Sequence, residues 1–188
     1  EQAYLEYPYL EYNNFPYNSI RGYQAIGLFK DEDDIKYSPK QTFGEVMPGD
    51  IKYKDINGDG MVDKLDMVPL THSTYPLLMY GVGAEIRYKN LTLGVLFKGT
   101  GKTSFFYVGQ KTTVNNETRV NGMGYMPFFE GNTGNVLAIA ANPANRWIPR
   151  EYAIAHGIDP SLAENPNARF PRLQYGNNSN NSQLSTFW

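Results

Sequence analysis

The sequence contains no cysteine and only two histidines, His72 and His156, in 188 residues. The first absence excludes a disulfide framework, a thiolate nucleophile and every thiolate metal site. The second leaves no histidine cluster of the kind that selects zinc or copper. A basic surplus is missing too. With 17 Lys and Arg against 19 Asp and Glu, the net charge is −2, so no positive field gathers a polyphosphate backbone and nucleic acid is not an expected partner. No apolar run approaches the ~18 residues that a membrane helix requires. That test does not reach a transmembrane β-barrel, whose strands alternate apolar and polar residues. The opening EQAYLEYPYLEY lacks the basic start and apolar centre of a signal peptide, so a mature chain or a piece of a longer one is expected.

What is abundant points to strands and loops. Tyr (15), Gly (18) and Pro (12) are frequent, and Asn crowds the later half, a composition of turns and β-structure long enough for one cored domain. Residues 1–24 read as loop with at most one short strand. An extended run follows from Tyr23 to Phe29, and Asp31-Glu32-Asp33-Asp34 then starts one helical turn that stops before Pro39.

The strongest periodicity lies between Leu78 and Phe97. Tyr80, Val82, Ala84, Ile86 and Tyr88 alternate with Gly81, Gly83, Glu85 and Arg87; beyond Lys89-Asn90, Leu91, Leu93, Val95 and Phe97 alternate with Thr92, Gly94, Leu96 and Lys98. Two strands of about nine residues joined by a two-residue turn make a hairpin. Its register sets Tyr88 against Leu91, Ile86 against Leu93, Ala84 against Val95 and Val82 against Phe97, so one face is wholly apolar. In a soluble sandwich that face looks onto a core; in an outer-membrane barrel it looks onto lipid. TSFFYVG, from Thr103, can start a third strand. Residues 109–182 show no sustained period beyond one possible short helix in NVLAIAANPANRW that Pro143 breaks, and read as a long surface loop.

One motif carries chemistry. In DINGDGMVDKLD (55–66), Asp55, Asn57, Asp59, the Met61 carbonyl, Asp63 and Asp66 fill positions 1, 3, 5, 7, 9 and 12 of a calcium loop, with Gly60 at the sharp turn. Hard oxygen donors suit Ca²⁺. Asp66 stands where Glu is usual and shortens the reach, and no amphipathic helices flank the loop, so a structural clip is expected rather than a sensor. An ion-free Asp/Asn/Gly turn is the alternative. GTGKT (99–103) only imitates a phosphate loop, because position 96 is Leu and no helix follows. No Gly-x-Ser-x-Gly elbow is present, and catalysis is not expected. Trp147, Trp188, Tyr125 and the tyrosines of 1–23 are candidates for stacking on a sugar ring, with ordinary packing as the other reading.

Four stretches in order, GYQAIGLFKDEDDI (22–35), PGDIKYKDINGDGMVDKLD (48–66), YGVGAEIRYKNLTLGVLFKGTGK (80–102) and RW with ENPNARFPRL and STFW (146–188), resemble the SusC/RagA-type TonB-dependent outer-membrane receptors of Bacteroidetes. The resemblance implies an all-β fold, a C-terminal fragment of a barrel of about 22 strands. It implies import of glycans, oligosaccharides or peptides, driven by TonB through parts absent here, with a SusD-like lipoprotein as partner. It further implies a periplasmic Lys89-Asn90 turn. The expected organisation is loop and short strand (1–47), extracellular calcium-binding loop (48–70), barrel hairpin and start of the next strand (71–108), and long extracellular loop (109–188). The competing class is a soluble, calcium-stabilised β-module that binds carbohydrate or a protein.

Overall fold

A computed structural model describes residues 7–11, 15, 19–70, 72–73, 75–104, 138–174 and 178–187, and the main chain alone at 110–114 and 117–121. Tyr125, Trp188 and most of TSFFYVG lie outside the described residues. Among those described, ten strands pair in twos and close no barrel. In chain order they are β1 (Arg21–Gly22), β2 (Ala25–Leu28), β3 (Lys40–Gln41), β4 (Ile51–Tyr53), β5 (Met61–Val62), β6 (Val68–Pro69), β7 (Leu78–Tyr88), β8 (Leu91–Gly101), β9 (Gln110–Val114) and β10 (Glu117–Asn121). Short helices α1 (Glu32–Lys36), α2 (Ala138–Ala141) and α3 (Arg150–Ala155) complete the set. None of the described helices is long and apolar enough to cross a membrane.

β7 and β8 form the expected hairpin in the expected register, Tyr88↔Leu91, Ile86↔Leu93, Ala84↔Val95 and Val82↔Phe97, and extend it to 11 residues a strand. Lys89 enters the left-handed region at φ 53° to close the two-residue turn. Local alternation builds the ribbon, but nothing described covers its apolar face. Val82, Ile86 and Phe97 are 66%, 65% and 68% exposed.

The remaining short strands gather into a packed body. β1 pairs with β6 and β2 with β4, both antiparallel, and β3 with β5 in parallel. Tyr23, Leu28, Ile51, Tyr53, Val62 and Trp147 are buried together at its centre, with Tyr23, Phe43 and Tyr53 in edge and tilted ring contacts. A satellite cluster under α3 joins Ile148, Ala153 and Ala163. α1 forms where the acidic run predicts it, because the Asp31 carboxylate accepts the Asp34 N–H at 2.8 Å and three acids occupy the first turn.

Three expectations for the later half need correction. β9 and β10 make a second hairpin, Val114↔Glu117 to Gln110↔Asn121, inside the stretch read as lacking a period. Its Thr and Val residues favour strand without any apolar alternation to reveal it. α3 also falls in that stretch. Finally, three asparagines are interior where a surface loop was expected: Asn178, Asn180 and Asn181 are 6%, 1% and 0% exposed.

These asparagines serve β4 as a neighbouring strand would. Asn181 Oδ1 accepts the Ile51 N–H at 2.8 Å, and Asn180 Nδ2 donates to the Ile51 carbonyl at 2.9 Å. Gln41 Nε2 donates to the same carbonyl at 3.0 Å, its Oε1 accepts the Tyr53 N–H at 2.6 Å, and Tyr53 Oη donates to the Asn180 carbonyl at 2.7 Å. Asp50, fully buried beside them, accepts from Asn181 and Asn178 Nδ2 at 2.8 and 3.1 Å and from the Met47 N–H at 2.9 Å. Arg172 completes the set, with Nε 2.7 Å from Asp50 Oδ1 and Nη2 donating to Oδ2 at 3.2 Å.

Burial raises the Tyr23 hydroxyl to about 12, with Asp63 and Asp66 adding to the rise, and burial pushes Tyr53 higher still. A raised folded-state pKa means stability that is whole below the ordinary value of 10.0 and is lost as pH climbs through the folded value. The body is therefore expected to unfold between about pH 10 and 12. Tyrosinate absorbance should rise together with loss of circular dichroism, and Tyr53→Phe should shift the transition to higher pH.

Candidate functional site

The acidic loop is anchored at both ends by the body. β4 delivers the chain into it, and Val62, with no exposed surface, pins its second half to the core through β5. Between these points the aspartates fold the main chain around themselves. Asp55 accepts the Gly58 N–H at 2.6 Å and the Gly60 N–H at 2.9 Å, and Asp59 accepts the Met61 N–H at 2.8 Å. Asn57 Oδ1 accepts the Asp59 N–H at 3.1 Å, while its Nδ2 donates to Asp59 Oδ2 at 3.0 Å. Gly60 turns the chain at φ +85°, a conformation that L side chains rarely adopt.

Asp66 behaves differently from the other acids. It has no exposed surface, and its carboxylate takes the Ile56 N–H at 2.7 Å, the Asp63 N–H at 2.8 Å and, more weakly, the Asn57 N–H at 3.4 Å. Asp63 in turn accepts the Leu65 N–H at 2.7 Å, which makes a reciprocal capping box over the 3₁₀ turn Lys64–Asp66. Tyr9 donates to the Leu65 carbonyl at 2.7 Å and closes the loop's outer side. Partial burial and then the Asp66 charge raise the Tyr9 hydroxyl, a local sign of the negative field.

The six oxygen donors named by the motif are therefore brought into one loop. Their chemistry suits a hard cation, since carboxylate oxygens that each accept an N–H keep a second lone pair. Among the described residues, however, no three or more histidine or acidic side chains gather closely enough to hold a metal ion. The turn stands on main-chain hydrogen bonds.

A second feature lies on the other side of Asp50. A pocket of about 510 Å³ opens between α1, the turn before β4, and the segment from Arg146 to α3, with Glu32, Met47, Trp147, Tyr152 and Leu173 in its wall. Trp147 is 5% exposed and belongs to the core; its ring lies where a Cβ on Gly49 would stand 2.4 Å from it, and Gly49 has φ +86°. Its indole N–H is buried without a partner among the described residues. Arg146, only 8% exposed, sets its guanidinium 5.3 Å from the Tyr152 ring centroid and donates from Nε to the Ala141 carbonyl at 3.4 Å. The Arg146–Tyr152 pair and Glu32 escaped sequence reasoning because segments more than 100 residues apart supply the wall; only Trp147 carried a signal.

No family model matches the chain. Over 79 residues it is 35% identical to a TonB-dependent receptor of Formosa agariphila, a stretch that covers 42% of this chain and 8% of that receptor. The similarity supports kinship with TonB-dependent receptors, and the chain spans a small part of the length of the relative it matches.

The acids separate by role in a stability measurement. Asp66→Ala strips a buried carboxylate from its N–H donors and should cost about 2–4 kcal/mol even in the absence of Ca²⁺. Asp59→Ala, in the exposed half of the loop, should cost about 1 kcal/mol or less in the absence of Ca²⁺. Chemical denaturation of both variants in chelator checks the pair.

Proposed function

We propose that the chain is part of an outer-membrane, TonB-dependent receptor of SusC/RagA type that imports glycans, oligosaccharides or peptides with a SusD-like lipoprotein. The observation that carries this reading is the β7–β8 hairpin. Its 11-residue strands expose an unbroken apolar face, a surface that lipid satisfies and water does not. At the usual rise each strand runs about 36 Å, enough to cross a bilayer core at the tilt of a barrel. The similarity to the Formosa agariphila receptor supports the TonB-dependent receptor part of this reading.

In this reading Lys89-Asn90 turns at the periplasmic side, and the acidic loop and the packed body stand outside the cell. Asp55, Asn57, Asp59, the Met61 carbonyl, Asp63 and Asp66 would hold a structural Ca²⁺ there. The ion would neutralise the loop's carboxylates and stiffen the exposed half of a loop whose buried half Asp66 already fixes. Catalysis has no place in the proposal, and the lumen plug and TonB contact belong to other parts of a receptor.

Fractionation tests the assignment. The gene product should sediment with outer membranes and need detergent for extraction; recovery in the soluble fraction without detergent rejects it in favour of the soluble calcium-stabilised module. Ala84→Arg, at mid-strand on the apolar face, should block assembly at a cost of about 2–4 kcal/mol, whereas Glu85→Arg on the opposite face should assemble. Calcium has its own test: Ca²⁺ should raise the melting temperature of the unaltered chain, and Asp59→Ala should abolish that rise.

A further inference from the structure

We propose that the pocket beside Trp147 binds an apolar zwitterion, a free amino acid or the end of a short peptide, with Arg146 taking its carboxylate and Glu32 its ammonium group. The inference rests on the reading of the chain as part of an import receptor and specifies what one of its pockets selects.

Charge accounts for the two ends of the ligand. Two arginines reach the pocket, but Arg172 is committed, paired to the buried Asp50 and donating to Gln174 Oε1 at 2.6 Å. Arg146 has no carboxylate partner among the described residues, although it is only 8% exposed. Its guanidinium lies over the Tyr152 ring, 5.3 Å from the centroid, and carries the fork of N–H donors that can receive a carboxylate through two parallel hydrogen bonds. Glu32 lies in the same wall, exposed and without an ion-pair partner among the described residues. One unspent charge of each sign therefore faces one cavity.

Between them the wall is apolar. Met47, Pro48, Trp147 and Leu173 supply side chains with almost no hydrogen-bonding capacity toward the cavity. A monosaccharide here would find few partners for its hydroxyls along the apolar part of the wall. An aliphatic or aromatic side chain loses nothing there, and about 510 Å³ lies within the range of small-molecule sites.

Calorimetric titration of the intact chain in detergent micelles, with leucyl-leucine, its C-terminal amide, its N-acetyl form, free leucine and galacturonate as probes, tests the assignment without relying on a variant that folds. Leucyl-leucine should bind, amidation should weaken it by at least about tenfold, and acetylation by about threefold or more. Free leucine binding as tightly as the dipeptide would support an amino-acid ligand, and weaker binding a peptide end. Among variants, Arg146→Gln should make acid and amide bind alike, while Glu32→Gln should remove only the effect of acetylation. An amide that binds as well as the acid, or galacturonate that binds more tightly than leucyl-leucine, overturns the proposal. Dipeptide binding by a chain that proves soluble without detergent would leave the pocket standing and remove the receptor reading instead.

Discussion

A single buried carboxylate organises the body. Asp50 has no exposed surface, and a charge in that position is tolerable only when every lone pair is answered. The answers come from a main-chain N–H three residues before it, from Arg172, and from Asn178 and Asn181. Removing the carboxylate would strand the arginine in the interior, a loss of the order of 3–5 kcal/mol for a broken buried pair. Because Asp50 opens β4, satisfying it also fixes where Ile51 and Tyr53 point, and these are the residues on which the aromatic core closes. The acidic loop leaves from the end of that strand and the pocket opens in front of it. Both features inherit their position from one electrostatic requirement.

The two parts of the molecule present different surfaces. The body hides amides and charges in a hydrogen-bonded interior and meets water with its acidic loop, whereas the hairpin pairs one edge of each of its strands and shows hydrocarbon on one side. Strand pairing alone keeps the ribbon in register, since its side chains find no tertiary partners among the described residues. Its two faces also differ in kind: Ala84, Ile86, Leu93 and Val95 line one, while Glu85 and Arg87 form an ion pair at 2.6 Å on the other. Within the body, Lys52 and Asp34 make a comparable pair at 2.6 Å. There burial alone would raise the Asp34 carboxyl, but the Lys52 hydrogen bond and the Lys30 N–H outweigh it and hold the group below its ordinary value.

Legibility followed the range of the interactions. The hairpin could be read from the sequence to the residue pair, because period-two alternation and a two-residue turn are local facts. The cap at Asp31 and the turns of Asp55 to Asp66 were readable for the same reason: their partners lie within a few residues. Asn178 to Asn181 looked like loop because amides usually are; what buries them is the main chain of Ile51, about 130 positions away, and no local pattern announces that. Gln110 to Asn121 hid a hairpin because its strands alternate no apolar residues. In the candidate metal loop, the motif treats its acids alike and cannot show that Asp66 is already engaged by N–H donors, since burial, not spacing, sets that role.

The asparagine contacts also fix an order of events in time. Ile51 waits for Asn181, Gln41 for Asn180, and Ala25 for Thr186, separations of 130, 139 and 161 residues. Closing such distances is entropically late and slow, so the body cannot condense while the ribosome is still making the middle of the chain. Until residues 178–187 emerge, β4 lacks one of the neighbours it will eventually accept.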